Sequence, residues 1–205
     1  MSDRVTRLVW LKNGGLQVHL QQLPPAVIDT AELWEPPLER GRLLSEEELV
    51  RLSAQAERFE ARRSAAQSLA RNNYSAGGLV QKLRQKGISQ EAAEEAVDHY
   101  RAIGYLQDDR FAESLAERLS RKGCGRRRIL DELRRKGVDG ETAEAAMEAL
   151  PTDREVLAGQ LAGKYRAVDW SDRPQRDRAV RALLRNGFDW EDISALLRRL
   201  LQELP

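Results

Sequence analysis

The sequence predicts a mainly α protein. It is built of tandem three-helix repeats, three copies in an elongated, solenoid-like series, preceded by a small N-terminal region that contains a β-hairpin. Three observations predict this. The stretch Leu79–Ile88, LVQKLRQKGI, returns as Ile129–Val138, ILDELRRKGV, and as Ala179–Phe188, AVRALLRNGF. Gly87, Gly137 and Gly187 are therefore 50 residues apart, and a fixed period of this size marks a repeat architecture. Charged residues make up 33% of the chain and aromatics 5%, which suits amphipathic helices with wide solvated faces. The expected divisions are a cap over residues 1–44, a long helix plus repeat 1 over 45–106, repeat 2 over 107–150 and repeat 3 over 151–205.

In the cap, Val5–Leu11 reads as a strand. Leu16, Val18 and Leu20 then alternate with Gln17, His19 and Gln21 after Asn13-Gly14-Gly15. Two such runs around an Asn-Gly turn read as a hairpin. Leu23–Leu38 carries Pro24-Pro25 and Pro36-Pro37 around Val27, Ile28, Leu33 and Trp34. It reads as extended chain, with a third strand near Val27. Ser45-Glu46-Glu47-Glu48 is a capping box with acidic residues at the positive end of the dipole. One uninterrupted helix over Glu46–Arg71 follows.

Each repeat then has three helices. In the first, Ser75 caps a middle helix whose Leu79, Val80 and Leu83 share one face, and Gly87 stops it in the left-handed conformation a helix terminus favours. Ser89 caps a third helix with Ala92, Ala96, Val97, Tyr100 and Ile103 on its buried side, and Gly104 ends it. In the second repeat Asp108 is the expected N-cap, Arg126–Lys136 the middle helix, and the last helix runs to Leu150 before Pro151. Thr152-Asp153-Arg154-Glu155 opens the third repeat. There the spacing predicts a longer first helix, a middle helix over Gln175–Asn186 and a last helix over Asp192–Leu204.

No catalytic constellation is present in this pattern. His19 and His99 have no partner at metal-ligand spacing. Cys124, between two glycines, reads as a small loop residue, although the nearby Arg126–Arg128 make a lowered thiol pKa possible. Asp108-Asp109 reads as helix capping rather than a metal pair. No phosphate-cradling glycine motif occurs. The single cysteine excludes an intrachain disulfide, and the N-terminus lacks an apolar signal segment. No apolar run approaches the ~18 residues of a membrane span. The reading is a cytoplasmic, non-enzymatic monomer without cofactor or metal.

The positive signal is charge. The net charge of +1 hides net −3 over residues 1–60, +6 over 61–140 and −2 over 141–205. Lys82, Arg84 and Lys86 lie on the first motif helix. Arg121, Lys122, Arg126, Arg127, Arg128, Arg134, Arg135 and Lys136 surround the second. With Leu79, Leu83, Ile129, Leu130 and Leu133 toward the core, this charge forms an outward basic stripe. It reads either as a solvated face or as a contact surface for nucleic-acid phosphate or an acidic protein groove. The motif helices lack the Asn/Gln/Ser mixture of base readout, which argues against sequence-specific DNA binding.

The chain resembles the RecX family of RecA regulators. The resemblance is carried by Asn73-Tyr74-Ser75 leading into Leu79, Leu83 and Lys86-Gly87, and by Gly104-Tyr105-Leu106-Gln107-Asp108-Asp109-Arg110-Phe111-Ala112. Arg128-Ile129 and Glu132-Leu133 within Gly125–Val138 add to it, as do Leu183–Phe188 followed by Ile193 and the lead-in Arg42–Leu49. Two departures stand out: Gln107 where the family usually has Asn, and Gly77-Gly78 where helix formers are expected. Two interior glycines cost a helix about 2 kcal/mol relative to alanine. The resemblance implies a protein that binds RecA and RecA–single-stranded-DNA filaments, inhibits ATP hydrolysis, strand exchange and filament growth, and so modulates recombination, DNA repair and the SOS response. Two other readings stay open: a sequence-tolerant DNA binder using the basic stripe, and a protein–protein scaffold without nucleic acid.

Overall fold

The computed structural model describes residues 2–31 and 34–202. Glu32 and Leu33, and the expected helix end at Leu204, lie outside the described residues. Among these residues the strands are β1 (Asp3–Trp10), β2 (Gly15–Leu20), β3 (Ala26–Asp29) and β4 (Leu43–Leu44). The helices are α1 (Glu46–Leu69), α2 (Ala76–Arg84), α3 (Gln90–Ala102), α4 (Asp108–Arg121), α5 (Arg126–Arg135), α6 (Gly140–Glu148), α7 (Asp153–Ala162), α8 (Arg173–Arg185) and α9 (Trp190–Gln202). The fold is therefore mainly α, in three-helix sets after a small strand region, as the period predicts. The chain divides into two compact units, Met1–Tyr74 with Leu79–Leu106 and Ser75–Gly78 with Gln107–Pro205.

In the first unit the hairpin forms around Gly14, whose φ is +79°. It does not stand alone, which would leave it marginal. β3 and β4 extend it to an antiparallel sheet in the order β3-β2-β1-β4. Val5, Val18, Ile28 and Leu44 from the sheet bury against Leu52 of α1 and against Trp34. The Trp34 indole N–H donates to Gln55 Oε1 at 2.9 Å, so the one polar atom of that ring is satisfied inside the core. The β4 pairing was not legible in the sequence, because two residues carry no period.

Asp3 fixes the corner of this sheet. It is buried, and its carboxylate accepts from the backbone N–H groups of Arg4, Gln21, Gln22 and Leu23. Burial raises its pKa, but the four donors outweigh that and hold it below the usual carboxylate value.

The capping box at Ser45 and Glu48 forms as expected. The first half of α1 carries the sheet. Its second half packs Ala61 and Ala65 in the same unit as the buried Ala92, Ala93 and Ala96 of α3. Glu57 accepts the Ser89 N–H at 2.7 Å, and Arg58 pairs with Glu95 at 2.9 Å. Ile103, expected on the buried side of α3, lies beyond its last turn and is 53% exposed.

The second unit holds two cores. Leu115, Ile129, Leu133, Val138 and Met147 centre the α4–α5–α6 set. Leu157, Leu183, Phe188 and Ile193 centre the α7–α8–α9 set. The longer first helix expected in the third repeat does not form. α7 stops at Ala162, and the extra length is the loop 163–172, which buries Tyr165. Gly159 and Gly163 weaken the helix, and Asp172 starts α8 earlier than expected by accepting the Gln175 N–H at 3.1 Å.

All three motif glycines end their helices identically. Gly87, Gly137 and Gly187 have φ of +87°, +79° and +90°. The next residue, Ile88, Val138 or Phe188, donates its N–H to the carbonyl of Leu83, Leu133 or Leu183 and is itself buried. Two of these turns then seat on the first turn of another middle helix. The Ser75 hydroxyl donates to the Lys136 carbonyl, and a Cβ on Gly77 would lie 2.3 Å from the Gly137 oxygen. Fifty residues on, the Gly125 N–H donates to the Asn186 carbonyl at 2.8 Å, and a Cβ on Gly125 would lie 2.6 Å from the Gly187 carbonyl. Gly77 and Gly78 are thus required by backbone approach, which offsets their cost in helix propensity.

Asp108 corrects the sequence reading. The N-cap of α4 is Gln107, without a side-chain cap bond. Asp108 is the first helical residue, and it accepts the Ala76 N–H at 2.7 Å, capping α2 instead of its own helix. Asp153 does the same for α5, accepting the Arg126 N–H at 2.8 Å.

Two predictions follow from these contacts. Gly77→Ala and Gly125→Ala will destabilise the protein by about 1–3 kcal/mol through forced overlap, although at Gly77, inside α2, alanine is otherwise favoured by about 1 kcal/mol. Gly159→Ala, with nothing within 4 Å of the added carbon, will stabilise by about 0.5–1 kcal/mol; urea unfolding reads all three. The second concerns Asp3. Its folded pKa is depressed, so its contribution is complete above the unfolded value of about 3.9 and is lost as pH falls through the lower folded value. Asp3→Asn will melt lower than the parent at pH 7, and the gap will narrow toward pH 2. A pH-independent gap would show that the charge is not what binds the corner.

Candidate functional site

The residues of the expected basic stripe fall into two groups, one in each unit. Lys82, Arg84 and Lys86 belong to the last turns of α2 and the residues after it, in the first unit. Arg84 and Lys86 are exposed and Lys82 is half-buried. Cations at a helix C-terminus are favoured by its dipole. Among the described residues, none of the three has an ion-pair partner.

The second unit holds Arg121 and Lys122 at the end of α4 and the arginines of α5, all exposed. On α5, Ile129, Leu130 and Leu133 take the core. Helical geometry then puts Arg127, Asp131 and Arg134 in one outward row and Arg128, Glu132 and Arg135 in the next. Each row places an acid between two arginines. Arg134 lies 3.6 Å from Asp131, and Arg135 Nε donates to Glu132 at 3.0 Å. The Arg135 guanidinium bound to Glu132 holds that carboxyl below its usual pKa. Arg121 pairs with Glu117 at 2.6 Å. Exposed pairs of this kind contribute only about 0–1 kcal/mol, and the acids on α5 are outnumbered, so the face stays positive.

The two ends of α5 differ. Three arginines at its N-terminus oppose the helix dipole. The structure gives each a local partner. Arg127 donates to the Leu184 carbonyl at 2.9 Å, Arg128 to Asn186 Oδ1 at 2.7 Å, and Arg126 pairs with Glu144. The carbonyl end of α8 is seated on this first turn, and its partial negative charge faces the arginines. Arg126–Arg128 therefore have a structural part in joining repeats two and three. Arg134, Arg135 and Lys136 at the other end have only i,i+3 partners or, for Lys136, no ion pair among the described residues. The separable contact set in this unit is thus Arg134, Arg135, Lys136 and Lys122.

Asp153 carries a raised pKa because of burial, partly offset by the Arg126 N–H and reinforced by the nearby Asp192 and Asp189. Capping accounts for its place without chemistry. Cys124 is buried, so the arginines after it do not make it an accessible thiol. His99 is exposed, with its ring edge-on to Tyr100. Among the described residues no group of three or more His, Cys, Asp or Glu is arranged to hold a metal ion, and no helix is long and apolar enough to cross a membrane. Sequence reasoning missed the cross-repeat caps Asp108 and Asp153. Their shared place at the first position of α4 and α7 was the available signal.

Comparison with known proteins agrees with this geometry. Residues 61–99 match the model of the RecX first three-helix domain, and residues 108–147 that of the RecX second three-helix domain. No curated protein matches the chain. A crystal structure of regulatory protein RecX superposes with a TM-score of 0.65 at 18% identity, covering 94% of this chain and 97% of that one. A crystal structure of RecX from Lactobacillus salivarius gives 0.56 at 22% identity, covering 70% of this chain and 96% of that one. These likenesses concern the fold, whereas the two domain matches fall in family order on the α1–α3 and α4–α6 sets described above. The chain belongs to the RecX family.

Proposed function

We propose that this protein regulates the RecA recombinase. It binds RecA and RecA–single-stranded-DNA filaments in the cytoplasm, acts as a monomer without cofactor or catalysis of its own, and inhibits ATP hydrolysis, strand exchange and filament growth. One observation carries the reading: both RecX three-helix domains are present in order on one chain. The charge distribution supports it. A positive face on α5, joined through short loops to a packed core, presents fixed cations to an acidic groove or to the DNA backbone.

Direct, sequence-tolerant DNA binding is a second reading. It is favoured by the absence of ion pairs at Lys82, Arg84, Lys86, Lys122 and Lys136 among the described residues. It would give an affinity whose log–log salt slope is about −0.9 per phosphate neutralised on duplex DNA.

The test is the single-strand-DNA-dependent ATPase of RecA with this protein added below stoichiometry. Hydrolysis will fall and filaments will shorten; unchanged hydrolysis and length would refute the regulator reading. Arg134→Ala with Arg135→Ala will raise the half-inhibitory concentration about tenfold, a loss of about 1.4 kcal/mol, while urea stability moves by less than about 0.5 kcal/mol. Arg127→Ala with Arg128→Ala will cost stability, on the order of 1–2 kcal/mol, because the end of α8 loses its donors. Equal stability in the two double variants would contradict the division drawn between the ends of α5.

A further inference from the structure

The motif glycine turn occurs three times, and two copies show what seats on it. At Lys136-Gly137 the occupant is the first turn formed by Ser75–Gly78. It supplies a hydroxyl donor to the Lys136 carbonyl and bare backbone against Gly137, where an added Cβ would lie 2.5 Å from the Gly78 nitrogen. At Asn186-Gly187 the occupant is the first turn that begins at Gly125. It supplies an N–H to the Asn186 carbonyl, and an added Cβ on Gly187 would lie 2.5 Å from the Arg128 nitrogen. In both cases the carbonyl end of one helix meets the N–H end of another, so unpaired groups and opposed partial charges cancel together.

The third copy, Lys86-Gly87-Ile88, has the same backbone. Its φ is +87°, the Ile88 N–H reaches the Leu83 carbonyl, and Ile88 is buried. Yet nothing lies within 4 Å of a Cβ built on Gly87, and no backbone donor reaches the Lys86 carbonyl among the described residues. Lys82, Arg84 and Lys86 bring positive charge to this end of α2.

We propose that the Lys86-Gly87-Ile88 end is a docking site for the first turn of a helix on another protein. The two occupied copies define its chemistry: a first turn that opens with Ser or Gly and brings its backbone against the glycine, at Gly77 and Gly78 in one copy and at Arg128 in the other. The lysines and arginine add a requirement for Asp or Glu in that first turn, where acids also suit the incoming helix's own dipole. A second copy of this chain is a poor occupant. The first turns at Ser75 and Gly125 are already seated within the chain. The N–H groups that precede α1, α3 and α7, at Ser45, Ser89 and Thr152, are taken by Glu48, Glu57 and Glu155, and α4, α6, α8 and α9 open after Gln107, Asp139, Asp172 and Asp189 instead of Ser or Gly. That RecA carries the incoming helix rests on the regulator reading; the docking chemistry does not.

The test has two arms, both on the full chain. In the first, a stapled helical peptide that opens with Ser, Ala and two Gly and continues into a Glu-rich turn is titrated into isotope-labelled protein. The amide signals of Lys86, Gly87 and Ile88 will shift. Gly87→Asn, which tolerates positive φ but places a side chain at the seat, will abolish the shift. Gly14→Asn, the same change at another open positive-φ glycine, will leave it intact. No shift at millimolar peptide, or an equal shift in Gly87→Asn, would overturn the proposal. So would the same shift on raising protein concentration without peptide, which would assign the end to self-association. In the second arm, RecA ATPase is inhibited by each variant. Gly87→Asn will need about tenfold more protein than Gly14→Asn for half inhibition, at matched melting temperature. Equal potency would show that this end does not serve RecA. Failure of the parent chain to inhibit at all would refute the regulator reading alone, and the peptide arm would still decide the docking site.

Discussion

The seating of one helix's glycine turn on the first turn of another is the constraint from which the second unit follows. A helix leaves four N–H groups unpaired at one end and four carbonyls at the other. Here the two sets meet, through Ser75 and Lys136 at one junction and Gly125 and Asn186 at the next. The approach is close enough to exclude a Cβ at Gly77, Gly78 and Gly125. Aspartates from the first positions of α4 and α7 complete each junction by taking an N–H that the turn leaves over. The 50-residue period is therefore not only a repeat of helices. It is the distance along the chain at which the same junction is rebuilt.

This constraint also sorts the charge. Three consecutive arginines at the start of a helix would normally be unfavourable. They are placed against the carbonyl end of α8, which Arg127 and Arg128 bind directly. The junction with α8 engages side chains at one end of α5, whereas at the other end the Lys136 carbonyl and Gly137 are seated and the side chains of Arg134, Arg135 and Lys136 stay exposed. One helix thus both binds the end of α8 and carries exposed cations, because its two ends meet different surroundings.

Much of this was legible in the sequence, for local reasons. The positive-φ glycines that end the motif helices, the buried residue after each, the caps at Ser45, Ser89 and Thr152, and the Asn-Gly hairpin all depend on neighbours within five residues. The outward placement of the arginines followed from helical period. What was not legible involved partners far along the chain. Asp108 looks like an N-cap because it precedes an apolar helical run, but its acceptor is used 32 residues away. Gly77 and Gly78 look like a defect in a helix until the Gly137 backbone is placed against them. Arg127 and Arg128 cannot be told from Arg134 and Arg135 by spacing, since only the position of α8 distinguishes them. The loop 163–172 was misread as helix because conserved spacing constrains length and not conformation.

Amide hydrogen exchange tests the junctions most directly. First-turn amides normally exchange freely, because no carbonyl of their own helix reaches them. If the junctions hold the second unit together, the amides of Ala76, Gly125 and Arg126 will be protected to nearly the level of Ile129 and Leu133 inside α5. Those of Gln90 and Glu91, in the first turn of α3, will exchange much faster. Exchange of Ala76, Gly125 and Arg126 at the rate of Gln90 and Glu91 would contradict the account, because the helix ends would then be meeting water and not each other.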